Sequence, residues 1–319
     1  MLTYRQYGEK GIIMKGFKAF GKGMICRGKQ YAENTVFEEK EAIICESGMH
    51  FCENPLDVLD YYPLIDGNGN AVEVAQVEAL DECHTDDSKK YCTKKLKIGV
   101  KLSLKEFVKA AIDFALEKNG GKASTGNGAK LASSGNYAQL ASSGDDAKLA
   151  SSGNGAKLAS SGDDAKLASS GNGAQLASSG DDAQLASSGY DAKLASSGNG
   201  AKLASSGYGA QLASSGNGAK LASSGNYAQL ASSGYGAKLA SSGDDAQLAS
   251  SGYYAVIAGI GRCNIAKGKK GSWLVLTEWG YNDIEEKYIP VCVKAAQIDG
   301  VVIKENTFYK LKNGEFKEA

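Results

Sequence analysis

A regular nonapeptide repeat occupies the middle of the chain and limits its fold more than any other feature. The unit reads Ala-Lys/Gln-Leu-Ala-Ser-Ser-Gly followed by two variable residues, and its leucine recurs every nine residues from Leu131 to Leu248 without a slip. One nonapeptide cannot bury its single leucine, so the units must stack as strands about 4.8 Å apart. The repeat therefore predicts a β-solenoid over residues 123–267.

Strand geometry assigns each position of the unit to a side. Because side chains alternate along a strand, the first alanine, the leucine and the first serine face one side. The Lys/Gln residue, the second alanine and the second serine face the other side. The Ser-Gly-x-x segment supplies the corner, where glycine permits the positive φ that a tight turn requires.

The variable Lys/Gln position indicates how many units make one coil. In every second unit this position is lysine six times out of seven, and in the intervening units it is mostly glutamine. This pattern predicts two nonapeptides per coil, which gives a flattened roll of about seven coils and roughly 34 Å. One face then carries a lysine ladder, formed by Lys130, Lys148, Lys166, Lys202, Lys220 and Lys238.

The same register stacks charged and aromatic residues at the corners. Three aspartate pairs fall eighteen residues apart on one edge: Asp145, Asp146, Asp163, Asp164, Asp181 and Asp182. Stacked like charges repel, so each ladder costs stability unless solvent or a partner relieves it. The ladders either present charge to a repetitive partner or keep a long flat sheet from aggregating. The corner tyrosines support two interpretations equally: they form an interface with a partner, or they shield the corner backbone. Many units lack the aspartate of calcium-binding turns, so calcium is not expected.

The sequence on either side of the repeat is varied and predicts two further parts. Residues 1–122 predict a small α+β domain, with residues 1–13 as an extension. A helix is expected at about 103–119, opened by a capping box of Ser103 and Glu106 and ended by glycines 120 and 121. Residues 268–319 predict a β segment with a hairpin at Asn313-Gly314. This segment either caps the last coil or pairs with the N-terminal domain. The fold class is mainly β.

Composition restricts the class of protein. Lysine plus arginine equals aspartate plus glutamate, 36 of each, so no net charge attracts the chain to nucleic acid or to a membrane. The sequence has no basic–apolar signal segment and no apolar run near twenty residues. Its seven cysteines fit a reducing compartment better than a disulfide framework. We expect a cytoplasmic protein with no membrane partner.

A cysteine–histidine cluster is the one candidate for site chemistry outside the repeat. Cys45, His50 and Cys52, with Cys26, provide thiol and imidazole groups of the kind that bind zinc. Their spacing matches no Cys-x-x-Cys pattern, and free cysteines are often buried as small hydrophobic residues. A Cys–His nucleophile pair is a further alternative. The sequence has no phosphate-binding loop, dinucleotide motif or serine-hydrolase elbow, so no cofactor and no catalytic residue are expected.

Several flanking motifs carry a resemblance to a known family. The segments 15–20, 26–31, 45–59 and 273–278, with the closing 309–316, resemble an uncharacterised family found in bacteriophages and prophages. Its members share the three-part layout, with a nonapeptide array of variable length in the middle. The repeat here uses leucine and Lys/Gln where relatives have units rich in Ser, Thr and Asn. The resemblance implies a phage context in the host cytoplasm and no particular activity.

Three functional hypotheses follow, from different classes. The first is a non-enzymatic, phage-encoded interaction protein whose rigid solenoid presents a charged face to a host protein or nucleic-acid-associated complex, or to another copy through the flat face. Inhibition of host defence is one version of it. The second makes the N-terminal domain a small enzyme or metal module on a solenoid stalk. The third is a self-assembling or ice-binding structural solenoid.

Overall fold

The computed structural model describes residues 14–118 and 123–319. The expected extension at 1–13 and the expected helix end at 119–121 lie outside the described residues. The molecule is mainly β, with an N-terminal sheet domain, a solenoid and C-terminal strands. The predicted fold class is therefore confirmed.

The N-terminal domain is built on a seven-stranded antiparallel sheet. Its strand order is β4-β9-β6-β1-β5-β8-β7, and β2 and β3 form a separate hairpin. Phe20, Phe51, Leu96 and Ile98 fill the core on one side of the sheet. A 3-10 helix at Pro55–Asp60 follows β5. The strands are β1 (Met14–Phe20), β2 (Ile25–Cys26), β3 (Lys29–Gln30), β4 (Thr35–Glu38), β5 (Met49–Cys52), β6 (Glu73–Ala79), β7 (Cys83–His84), β8 (Lys90–Thr93) and β9 (Lys95–Leu102).

Helix α1 (Leu104–Lys118) links this domain to the solenoid. The capping box forms as the sequence predicted: the Ser103 backbone N–H donates to the Glu106 carboxylate at 2.8 Å, and the Glu106 N–H donates to the Ser103 hydroxyl at 3.3 Å. Phe107 and Ala111 are buried on the side of the helix that faces the solenoid. None of the helices in the described ranges has the length and apolar character needed to cross a membrane.

The repeat folds into a β-solenoid of about eight turns over residues 130–276. Every unit pairs in parallel with the unit eighteen residues later, so that Lys130 lies beside Lys148 and Leu131 beside Leu149. Two nonapeptides therefore make one coil, as predicted. Strands alternate between two parallel sheets: odd-numbered strands form one, and even-numbered strands form the other. The solenoid strands are β10 (Ala123–Ser124), β11 (Lys130–Ser133), β12 (Gln139–Ser142), β13 (Lys148–Ser151), β14 (Lys157–Ser160), β15 (Lys166–Ser169), β16 (Gln175–Ser178), β17 (Gln184–Ser187), β18 (Lys193–Ser196), β19 (Lys202–Ser205), β20 (Gln211–Ser214), β21 (Lys220–Ser223), β22 (Gln229–Ser232), β23 (Lys238–Ser241), β24 (Gln247–Ser250), β25 (Val256–Gly259) and β26 (Ile265–Lys267).

The interior of the solenoid is a column of leucines and alanines. From Leu140 to Leu248 the repeat leucines are at most 1% exposed. Close stacking also explains the invariant glycine of the unit. A Cβ on Gly180 would lie 2.0 Å from the carbonyl oxygen of Gly162 in the preceding coil, a distance that no side chain tolerates. The repeat thus conserves its leucine for the core and its glycine for the approach of neighbouring coils.

The C-terminal segment caps the solenoid. Strand β27 (Trp273–Asn282) pairs in parallel with β25, and β28 (Lys287–Gln297) returns antiparallel to β27. On the other sheet, β29 (Tyr309–Lys312) pairs with β26, and β30 (Glu315–Glu318) closes the predicted hairpin at Asn313-Gly314. Both turn residues have positive φ, 54° and 68°, as a tight hairpin requires. Of the two expected positions for this segment, the structure shows the cap.

Candidate binding face and domain interface

The outer surface of the even-numbered sheet is covered by the N-terminal domain; we call it the covered face. Its row of outward alanines is buried along the solenoid, from Ala141 at 0% exposed to Ala231 at 8%. These alanines pack against apolar side chains of the N-terminal domain, among them Leu59, Leu64 and Phe107. Small side chains let the domain approach the sheet closely, so this half of the repeat is an internal surface of the molecule.

The Lys/Gln position of the covered face meets specific partners in the N-terminal domain. The Lys157 ammonium forms a buried ion pair with the Asp57 carboxylate. The Lys193 ammonium donates to the backbone carbonyl oxygen of Leu59. These are the two lysines that interrupt the glutamines of this row, and each meets an oxygen acceptor. The interruptions that the sequence left unexplained are therefore contacts between domains.

Glutamines of the same row complete the interface. The Gln175 side-chain amide donates to the Asp60 carboxylate at 2.8 Å. The Gln211 side-chain oxygen accepts the backbone N–H of Leu64, also at 2.8 Å. Both glutamines thus bond across the domain contact, and Gln211 satisfies the N–H of the buried Leu64.

Burial shifts the pKa values of charged groups at the covered face. Burial raises the pKa of Asp57, and the nearby Lys157 ammonium opposes that rise. Burial lowers the pKa of Lys193, opposed by the negative charge of Asp60. Taking charges out of water costs free energy that their attraction repays only with good geometry. We therefore expect the Lys157–Asp57 pair to add little net stability to the domain contact.

The outer surface of the odd-numbered sheet is bare in the described structure; we call it the open face. Three straight rows of side chains run along it, one of Lys/Gln, one of alanine and one of serine. All six lysines of the predicted ladder lie in the first row and are exposed, with Gln184 as the one interruption. The alanine and serine rows form a shallow trough of about 1270 Å³ that runs the length of the repeat and ends at Ala258 and Ile260.

The predicted acidic corner lies beside the lysine row, on the loops that lead into the odd-numbered strands. The Asp145 carboxylate accepts the backbone N–H of Asp163 at 3.0 Å, and the Asp163 carboxylate accepts that of Asp181 at 2.8 Å. Asparagines make the same bond in other coils, for example Asn199 to the N–H of Asn217. Where the first corner residue is Asn or Asp, its side chain can thus bond to the backbone of the next coil; tyrosine takes the position in other units, as at Tyr190 and Tyr208.

The second corner residue has a different constraint. It adopts positive φ wherever it is not glycine, as at Asp146 (56°) and Tyr137 (58°). Non-glycine residues are strained in this conformation, and aspartate is one of the few that tolerate it. Glycine or tyrosine takes this position in other units, so the corner does not require the charge of Asp146, Asp164 and Asp182.

Corner tyrosines gather in two clusters on opposite edges of the solenoid. One cluster contains Tyr190, Tyr208 and Tyr227, with ring centroids 6.2 and 4.9 Å apart along the series. The other contains Tyr235 and Tyr254, whose centroids are 5.3 Å apart. Each of these rings is about half exposed. Within each cluster, rings from successive coils lie against one another.

The cysteine–histidine candidates are engaged with separate partners. The Tyr62 hydroxyl donates to the Cys26 sulfur at 2.8 Å, and the Lys90 ammonium donates to the Cys45 sulfur at 2.9 Å. The His50 imidazole accepts the Cys45 backbone N–H at 3.0 Å. Cys52 is buried, and burial raises the pKa of its thiol to about 12. Across the described ranges, no three His, Cys, Asp or Glu side chains are grouped to hold a metal ion. The structure does not bring these four residues together as one ligand set.

One buried amine in the N-terminal domain was missed by the sequence reasoning. Lys18 lies inside the sheet domain, where its ammonium donates to the His50 carbonyl oxygen at 2.9 Å and lies over the rings of Phe20 and Tyr31. Burial lowers the pKa of Lys18 and also, with the charge of Lys18, lowers the pKa of His50 to about 4. His50 is therefore neutral at pH 7 and suited to accept the Cys45 N–H.

Comparison with known families identifies the N-terminal part of the chain. Residues 14–110 match the model of a domain of unknown function, DUF7666. The match runs from β1 into α1 and stops before the repeat. No curated protein and no solved structure matched the chain. The domain that covers one face of the solenoid is thus a DUF7666 domain, and the repeat lies outside the match.

Proposed function

We propose that this protein is a non-enzymatic interaction protein that binds another macromolecule through the open face. The observation that supports this most strongly is the difference between the two faces of one repeat. The covered face is buried under the DUF7666 domain, with its lysines and several of its glutamines bonded to that domain. The open face has the same strand sequence and carries no such contacts in the described structure.

The chemistry of the open face suits a long, flat partner. Its lysines lie about 4.8 Å apart on a rigid sheet, and its alanine and serine rows offer a level floor. Tyrosine clusters stand at the edges, and tyrosine is enriched where proteins meet. A rigid surface loses little conformational entropy on binding, which favours affinity.

The biological setting is part of the same proposal. The resemblance of segments such as 15–20 and 45–59 to phage and prophage proteins supports a phage-encoded protein that acts in the cytoplasm of its host. The partner is then a host protein or nucleic-acid-associated complex, or a second copy of the chain. Inhibition of a host defence is the role that this setting favours.

A capture experiment tests the open face. Immobilised full-length protein is exposed to host lysate, beside a variant with glutamine at all six lysines of the open face. We expect the variant to lose bound partner by at least about tenfold, because charged groups on a face set both attraction and register. A matched control changes six exposed lysines outside the repeat to glutamine: Lys287, Lys294, Lys304, Lys310, Lys312 and Lys317. Equal capture by wild type and open-face variant, with both folded, would contradict the proposal.

A further inference from the structure

Charge is divided along the open face between its two halves. In the coils that begin at positions 145, 163 and 181, the loop before each odd-numbered strand carries an aspartate pair. The lysine row adds only Lys148 and Lys166 there, because the third position is Gln184. Six carboxylates therefore stand against two ammonium groups, and this half of the edge is acidic.

The other half of the same edge is basic. Lys202, Lys220 and Lys238 follow loops whose variable residues are Asn-Gly, Asn-Gly and Tyr-Gly, with no carboxylate. None of these three lysines forms an ion pair with another residue in the described ranges. The two halves lie end to end on one straight row, with the change of sign between Gln184 and Lys202.

From this arrangement we infer that the open face binds the open face of a second copy, with the two solenoids antiparallel. The inference rests on the proposed function and names its partner. A two-fold axis parallel to the strands, between the coils of Gln184 and Lys202, keeps lysine row over lysine row and reverses the order of the coils. The acidic half of each copy then faces the basic half of the other.

The pairing follows coil by coil. The coil of the Asp181–Asp182 loop faces the coil of Lys202 in the second copy, because these coils lie on either side of the axis; the loop lies over Asn199-Gly200, beside Lys202. In the next coils the Asp163–Asp164 loop lies beside Lys220, which also meets Lys166, and in the last the Asp145–Asp146 loop lies beside Lys238, which also meets Lys148. Each aspartate pair outweighs the lysine of its own coil, so every facing pair of coils has opposite net charge. Each opposition occurs twice in the dimer, and the alanine and serine rows of one copy lie over the same rows of the other.

The parallel arrangement lacks this complementarity. A two-fold axis along the solenoid would place the lysine row over the serine row of the second copy. The aspartate loops would then face the loops that follow the serine row in the same coils, Asn154-Gly155, Asn172-Gly173 and Tyr190-Asp191. None of these loops carries a positive charge and Asp191 adds a negative one, so the antiparallel dimer is favoured electrostatically.

The size of the face sets the strength of the contact. Eight coils at 4.8 Å and strands of four residues give a face of about 38 by 13 Å, or roughly 500 Å² per copy before the loops are added. Stable interfaces bury about 800 Å² per partner, so this dimer belongs to the weak class. We expect dissociation in the micromolar range or above and marked weakening by salt, because exposed charges are screened.

Analytical ultracentrifugation of the purified full-length protein tests the inference. We expect a concentration-dependent dimer at about 0.05 M salt that dissociates at about 0.5 M. One variant replaces the three basic-half lysines by glutamate, K202E/K220E/K238E. A second replaces the acidic-half residues that the corner bonds do not need, D146K/D164K/D182K. Each variant alone is expected to remain monomeric, and an equimolar mixture is expected to restore the dimer, because the exchanged charges are again opposite.

The outcomes of this experiment distinguish failure of the dimer from failure of the proposed function. The matched control K287E/K310E/K312E has the same charge change outside the repeat and is expected to dimerise like the wild type; far-UV circular dichroism verifies that all variants fold. Monomeric wild type at every concentration overturns the inference, as does a mixture that stays monomeric. If monomeric wild type still captures a host partner through the open face, the proposed function stands without the dimer. If it captures none, both fail.

Discussion

At the scale of single residues, some positions of the repeat are fixed by packing within the coil, and others vary with the residues that they contact. Leucine and glycine are fixed, because one fills the core and the other allows coils to approach. The Lys/Gln position is free of these demands, and its identity follows what it meets. On the covered face Lys157 meets Asp57 and Lys193 meets a carbonyl oxygen. The choice between lysine and glutamine is therefore evidence of contact there.

The Lys157–Asp57 pair gives a prediction at this scale. Replacing Asp57 by alanine leaves the Lys157 ammonium buried without a partner, so we expect the free energy of unfolding to fall by about 3–5 kcal/mol. The double change of Asp57 to asparagine and Lys157 to glutamine removes both charges and is expected to cost much less, about 1 kcal/mol. Urea denaturation of the two variants measures the difference. Equal losses would show that the pair is not buried as described.

At the scale of elements, the eighteen-residue coil determines which face each unit enters. Nine residues carry the chain from one sheet to the other, and eighteen return it to the same sheet. The sequence predicted this period from the alternation of lysine and glutamine alone. It also predicted α1 and the Asn313-Gly314 hairpin, because capping boxes and tight turns are local signals. Local and periodic signals were sufficient for these elements.

A pair of deletions tests the period. Removing residues 212–229 deletes one coil and keeps every later unit in its own sheet, so we expect a cooperative thermal transition near that of the wild type. Removing residues 212–220 deletes half a coil and moves every later unit to the opposite sheet. The capping strand β27 would then join the covered sheet, where the DUF7666 domain stands. We expect loss of cooperative melting by circular dichroism and rapid proteolysis; a nine-residue deletion that melts like the eighteen-residue one would contradict two units per coil.

The interface between domains could not be predicted from the sequence, for a physical reason. Contacts such as Gln211 with Leu64 join residues 147 apart, and no local pattern marks them. The sequence described the lysine row correctly as a ladder but treated the glutamine row as its neutral opposite. It did not show that the alanine row beside these glutamines is buried under the N-terminal domain. Only the two lysines out of place at 157 and 193 signalled the contact, and their meaning depended on the position of Asp57.

At the scale of the whole molecule, the two faces of the repeat have different surroundings. The DUF7666 domain and α1 cover one sheet over most of its length, and the capping strands close the C-terminal end. The open face is thereby left bare within the described residues. This asymmetry carries both the proposed binding function and the antiparallel dimer, since a solenoid exposed on both sides would have no preferred face.

Lysine labelling tests this asymmetry most directly. The full-length protein is acetylated briefly, digested at aspartate and sequenced by mass spectrometry. One of the resulting peptides, 146–162, contains Lys148 from the open face and Lys157 from the covered face. The two lysines lie nine residues apart, and their neighbours in the sequence are nearly identical. We predict fast modification of Lys148 and protection of Lys157 in the folded protein, with equal rates after unfolding in urea. Equal modification of the two lysines in the folded protein would contradict the covered and open faces on which the account depends.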